Sequence, residues 1–188
     1  MREQSDTRTR IQEIALKLFT EQGYEATSLR EIAEALGVTK AALYYHFKTK
    51  DDIIASLAED RRAGMERLIK WAQNQPRTIE TRRELVRRYA EDLYGSRHSA
   101  FIRFMERNQT ALRDDPKVTK MRDLMTTMMK VLWDEGDSTT QRLRSSMALF
   151  TLHASWFVLQ DEGIPYEERK EAALRVAMEL IDSASRDD

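Results

Sequence analysis

Apolar residues recur at three- and four-residue intervals along most of the chain, the signature of amphipathic helices. Ile11, Ile14, Ala15, Leu18 and Phe19 form the first stripe, and Gly23 closes it. Ser28 opens a short second segment. Glu31, three residues on, completes a capping box, Ile32, Ala33 and Leu36 supply the apolar face, and Gly37 stops the helix. A third segment runs from about Thr39 to Phe47. The fourth begins near Thr49, with Asp51 and Asp52 in the first turn, where the macrodipole favours them. It continues to about Trp71, ahead of Pro76. Five more segments are predicted: Thr78 to Tyr94, His98 to about Gln109, Pro116 to Trp133, Ser138 or Thr139 to Glu162, and Tyr166 to about Ser183. The glycines fall at segment ends, apart from Gly64 inside the fourth. No stretch alternates with period two for long enough to make a strand. The pattern predicts an all-α chain of nine helices.

Composition narrows this further. Six glycines and three prolines in 188 residues are too few for the many tight turns of a sandwich or barrel. The chain has no cysteine, which excludes a disulfide framework, a thiolate metal site and a cysteine nucleophile. The first ten residues are polar with no apolar run behind them, and nowhere do eighteen apolar residues run together. A soluble, cytoplasmic protein with no membrane span is expected. Net charge is −1, so any sign of a polyanionic partner must be local.

Residues 28–47, SLREIAEALGVTKAALYYHF, carry such a sign. Two short helices flank LGVT, small Ala33 permits a close crossing, and Gly37 permits the turn. Val38 and Leu43 point into a shared core. This is a helix-turn-helix pattern. Between Val38 and Lys50 there are three lysines, one histidine and no acid, a local charge of +3. Adjacent Tyr44 and Tyr45 cannot both face inward. An exposed tyrosine beside lysines suits phosphate hydrogen bonds or thymine-methyl contact. Ala41 and Ala42 let the helix approach base edges, and Thr39 as N-cap leaves amides directed outward. The plainer alternative is a surface helix whose tyrosines pack on neighbours.

The stretch TSLREIAEALGVTKAALYYHFKTKDDI, with IALKLFTEQGYEATS before it, resembles the N-terminal domain of the TetR family of bacterial transcriptional regulators. The close match covers roughly residues 8–57; beyond it the chain resembles the family only in size and helix order. The resemblance implies a TetR-like architecture, with a three-helix DNA-binding domain at 1–50 and a helical effector-binding and dimerisation domain at 51–188. It implies a homodimer, usually a repressor, that binds a near-palindromic DNA operator and is released by a small-molecule effector. It places Ser28 and Thr39 at helix N-termini facing phosphates and Lys40, Ala41, Ala42 and Tyr44 in the major groove. Arg30 falls where a basic side chain sometimes reaches a base, and Tyr45, His46 and Lys50 fall on backbone-contact positions. Lys48 lies nearby. With two alanines at the tip, DNA shape is expected to share in specificity.

The remaining stripes are less specific. Met121, Met125 and Met128 share a face, as do Phe101, Phe104 and Met105, with Trp71 and Trp133 nearby. Each suits core packing. Methionine also fills adaptable apolar sites. Since the resemblance implies a cavity among these helices, these eight residues are expected to bind an apolar or aromatic effector. His98 and His153 are candidate polar handles or structural histidines. Met147, Phe150, Trp156, Leu174 and Met178 lie on the last two helices. These could pack within the subunit or pair with their symmetry mates in a four-helix bundle; the bundle is the expectation. An enzyme is disfavoured: no histidine follows a glutamate by three residues, and there is no phosphate loop, G-x-S-x-G or H-E-x-x-H. No metal or cofactor is expected. The acid-free tip also argues against a helix-turn-helix used only for protein contact.

Overall fold

A computed structural model describes residues 2–95, 100–102, 104–105, 116–159 and 163–185. Its helices are α1 (Arg2–Glu21), α2 (Leu29–Leu36), α3 (Lys40–His46), α4 (Lys50–Gln73), α5 (Ile79–Tyr94), α6 (Pro116–Val131), α7 (Thr139–Val158) and α8 (Tyr166–Ala184). Residues 100–102 and 104–105 are also helical, so each of the nine expected segments contains helix. No strand occurs among the described residues. His98 and the expected end of the α7 segment at Glu162 lie outside them.

Two boundaries differ from expectation. The first helix starts nine residues before Ile11, through a polar stretch with no apolar stripe to announce it. There the Arg8 guanidinium lies 4.7 Å from the Phe47 ring centroid. At the other end, α7 stops at Val158, where the Leu159 N–H donates to Ser155 O at 3.3 Å as a C-cap.

The chain forms two compact units, Met1–Arg62 with Gly95–Val118, and Ala63–Tyr94 with Thr119–Asp188. These do not follow the expected division at residue 50. The reason is packing: Ile53 and Leu57 of α4, and Phe101 and Phe104 from much further along, are buried with Ile11, Leu16 and Phe19 of α1. Phe19, Tyr24 and Phe104 stack at centroid distances of 5.0–5.8 Å. Gln12, itself buried, donates to Ser56 Oγ at 2.9 Å and Asp60 Oδ2 at 3.0 Å, a polar clasp between α1 and α4.

In the second unit, α7 and α8 pack closely because Ala148, Ala173, Ala177 and Ala184 are small and buried. Arg83 Nε donates to Asp182 Oδ1 at 2.8 Å, joining α5 to α8. The Tyr94 hydroxyl donates to Leu152 O at 2.8 Å, and Tyr166 OH donates to Tyr94 O at 2.6 Å.

Candidate nucleic-acid interface

The geometry of α2 and α3 is set by local chemistry. Ser28 Oγ accepts from the Glu31 N–H at 3.2 Å, while Glu31 Oε2 accepts from the Ser28 N–H at 2.7 Å. That reciprocal box fixes where α2 begins. Hydrogen bonding from Ser28, through its hydroxyl first and its backbone N–H second, holds the Glu31 carboxyl below the ordinary glutamate value. At the far end Gly37 sits at φ 70°, in the left-handed region that disfavours side chains with a Cβ. The Gly37 N–H donates to Glu34 O at 3.1 Å and the Val38 N–H to Ala33 O at 3.0 Å, closing a Schellman motif. Two residues later Thr39 caps α3, its Oγ1 accepting from the Ala42 N–H at 3.1 Å. The Thr39 hydroxyl keeps its own proton for a further acceptor.

Burial sorts α3 into two faces. Leu43 is fully buried, Phe47 nearly so, and Val38 and Tyr44 pack half-buried against the same core. Lys40, Ala41, Ala42 and Tyr45 are exposed, with Tyr45 at 71%. The adjacent tyrosines therefore divide as helical geometry requires. Lys40 Nζ lies 5.3 Å from the Tyr44 ring centroid, and the half-buried His46 ring stands edge-on to Tyr45 at 5.3 Å. Arg30 is exposed but already paired, its Nε 2.7 Å from Glu34 Oε1. Exposed pairs of this kind are worth little, so Arg30 can exchange Glu34 for another anion.

Lys50 has a role that local spacing did not suggest. Its Nζ donates to Tyr24 O at 2.6 Å and lies 4.5 Å from the Tyr24 ring centroid. Tyr24 OH in turn donates to Asp51 Oδ1 at 2.5 Å. Burial first, and Asp51 second, hold the Tyr24 phenol well above its ordinary value. Lys50, Tyr24 and Asp51 thus fasten the α1–α2 turn to the start of α4. The pair is separated by 26 positions, so no short-range pattern announces it. Beside it, Asp52 Oδ2 accepts from the Lys48 and Thr49 N–H groups at 3.0 and 2.9 Å, and Lys48 Nζ donates to Tyr44 O at 2.6 Å.

Residues 11–57 match the family model for "Bacterial regulatory proteins, tetR family". This N-terminal segment is similar to the TetR family. The HTH-type transcriptional regulator AcrR of Shigella flexneri is 49% identical over 57 residues, which are 30% of this chain and 26% of that protein. The matched stretch thus spans about a quarter of that relative. The "Probable HTH-type transcriptional regulator YttP" of Bacillus subtilis is 27% identical over 154 residues, covering 78% of this chain and 72% of that one. Among solved structures, Mycobacterium smegmatis AmtR superposes with a TM-score of 0.67 at 25% identity, over 94% of this chain and 91% of AmtR. The TetR-family regulator PfmR from Thermus thermophilus gives 0.66 at 25% identity, over 92% and 97%. These relatives are named as transcriptional regulators.

The residues expected to bind an effector divide between the two units. Phe101 and Phe104 are core residues of the first unit, and Met105 packs against that core. The second unit holds the others. Met128 is fully buried, and Met121 and Met125 are half-buried. Trp71 lies 4.2 Å from the Arg88 guanidinium, and Trp133 donates through Nε1 to Ser146 Oγ at 3.1 Å. The eight do not form one cluster within either unit. His153 is a structural partner of Tyr89, with Nε2 and OH 2.7 Å apart.

The residues expected at a dimer interface also divide. Met147 and Phe150 are exposed at 38% and 43%, and Leu174 and Met178 are half-buried. Trp156 is instead buried, edge-on to Tyr94 at 5.6 Å. It shares the inward stripe of Leu149 and Leu152, and its Nε1 has no hydrogen-bond partner among the described residues. The outward stripe of α7 contains Leu143 and Val158, exposed at 59% and 70%, which the sequence reading passed over.

Proposed function

We propose that this protein is a ligand-responsive transcriptional repressor that binds a near-palindromic DNA operator as a homodimer in the cytoplasm. The observation that carries DNA binding is the exposed, acid-free tip of α3. Thr39, Lys40, Ala41, Ala42 and Tyr45 stand outward there while Leu43 and Phe47 anchor the helix. Lys40 and the small alanines suit the major groove, with Tyr44 at its edge; Ser28, Thr39, Tyr45, His46 and Lys50 suit phosphates. The outward stripe of Leu143, Met147, Phe150 and Val158 supports pairing of α7 and α8 with a second copy. In such a pair the two α3 helices would read successive major grooves. Release by a small apolar or aromatic molecule follows the methionine-rich half-buried positions of α6.

The test is selection of DNA from a random pool by the purified protein, with the molar mass of the complex measured. A two-fold symmetric sequence bound by an even number of chains is expected. Recovery of no preferred sequence would overturn the reading.

A further inference from the structure

Arg8 precedes the buried pair Ile11 and Gln12 by three and four positions, so it continues the core-facing side of α1 past the rim of the core. There its guanidinium stands over the ring of Phe47, 4.7 Å from the centroid, while Arg8 itself stays exposed to solvent. Phe47 is 2% exposed and is the C-cap of α3. A cation from α1 is thus fastened to the end of the helix that carries the exposed, acid-free tip. Both residues belong to the first unit.

The contact with the ring uses no donor. The five N–H groups of an arginine lie in the guanidinium plane, and packing a face on an aromatic ring leaves them for another acceptor. Among the described residues no carboxylate takes them. The acids that follow α3 are already engaged, Asp51 by the Tyr24 hydroxyl and Asp52 by the Lys48 and Thr49 N–H groups. His46 and Lys48 flank Phe47 in sequence, so the end of α3 gathers an imidazole, an ammonium and a guanidinium. Lys48 Nζ already donates to Tyr44 O at 2.6 Å, whereas the Arg8 donors have no acceptor among the described residues.

In a protein that binds DNA through α3, as proposed above, we infer that Arg8 is a further phosphate ligand. Held by Phe47, it donates through its N–H edge to the DNA backbone beside the end of α3. This extends the DNA-contacting surface from α2, α3 and the start of α4 onto α1. A phosphate contact adds affinity without sequence preference. A planar fork of donors matches two phosphate oxygens, which an ammonium meets only as a point charge.

The experiment measures binding of the full-length protein to a DNA duplex of mixed sequence and to the duplex recovered by selection, across a salt series. Arg8→Met keeps an unbranched stem over Phe47 and removes the charge. It should weaken both duplexes by the same factor, about three- to tenfold, and lower the salt slope by roughly 1 per bound chain. Arg8→Gln, a polar replacement, should lower the slope equally even where the Met stem repacks. Arg8→Lys should keep the parent slope and recover only part of the affinity. Arg10→Met removes an exposed charge from the other side of α1 and should leave the slope unchanged. All these replacements are good helix formers, and unfolding midpoints verify that the variants fold. A parent slope in both Arg8→Met and Arg8→Gln would make Arg8 a cover for Phe47 only and overturn the assignment. An equal loss in Arg10→Met, or a loss confined to the selected duplex, would overturn it as well. Binding by the parent protein tests the DNA-binding reading itself, so failure of that reading and failure of this one are told apart.

Discussion

Helices α3 and α7 both hold large side chains out to solvent, and they do so with opposite chemistry. On α3 the exposed ring is Tyr45, a hydrogen-bonding phenol among lysines. On α7 the exposed groups are Leu143, Met147, Phe150 and Val158, a stripe without a polar atom that forms a strong hydrogen bond. A polyanion rewards the first surface, because each phosphate contact releases counterions and a phenol can bond to phosphate oxygen. Another protein face rewards the second, because apolar area is worth roughly 25 cal/mol per Å² when removed from water. Exposure alone does not distinguish a reading surface from a pairing surface; the atoms at the tip do.

That contrast can be broken first at α7. Phe150→Asp places a charge in the stripe and should yield folded monomers. Operator affinity should fall on the order of 100-fold, since two tethered reading heads become one. Sedimentation and DNA titration measure both quantities, and an intact dimer would remove α7 from the pairing surface. The next effect belongs to α3. Lys40→Ala should alter preference at one or two positions per half-site by about 1–3 kcal/mol. Its unfolding free energy should change by less than about 0.5 kcal/mol, as for an exposed side chain.

Lys50→Ala sharpens the comparison within the reading unit. It should weaken all DNA sequences alike and lower the salt slope by roughly 1. It should also cost about 1 kcal/mol of stability, because the bond to Tyr24 O is lost. Chemical denaturation separates it from Lys40→Ala. The smallest effect is one of pH. Glu31 has a folded-state pKa below its unfolded value, so its contribution is complete above the unfolded value and is lost as pH falls through the folded one. The protection of the Ser28 amide, taken as its exchange rate relative to the intrinsic rate at each pH, should therefore fall on acidification below the ordinary carboxylate range, and Glu31→Gln should flatten that dependence.

Short-range features were legible in the sequence. The Ser28 box, the Gly37 stop, the Thr39 cap and the inward set of Leu43 and Phe47 depend on residues within one or two turns of each other. What escaped were long-range partnerships. A period of 3.6 says that Trp156 lies on an apolar face but not whether Tyr94 or another subunit covers it. It groups Phe101 with Phe104 but does not say that Phe19 and Tyr24 are waiting for them. The resemblance puts Lys50 at a backbone-contact position, but nothing local announces its carbonyl partner Tyr24, in the turn region before α2. The clamp of Arg82 with Asp134 and Asp137 spans more than fifty positions and left no local trace.

The burial of Phe101 and Phe104 beside α1 has a consequence for biosynthesis. A chain emerging from the ribosome exposes its reading helix long before the aromatic residues that complete the surrounding core have been made. The nascent segment through residue 62 carries an open apolar seat at Phe19 and Tyr24, and it is filled only after α5 has been synthesised. Closing it brings together residues some eighty positions apart, a contact that slows folding relative to a purely local bundle. The reading head is therefore finished late, and a chain interrupted before Phe104 lacks part of its DNA-facing unit.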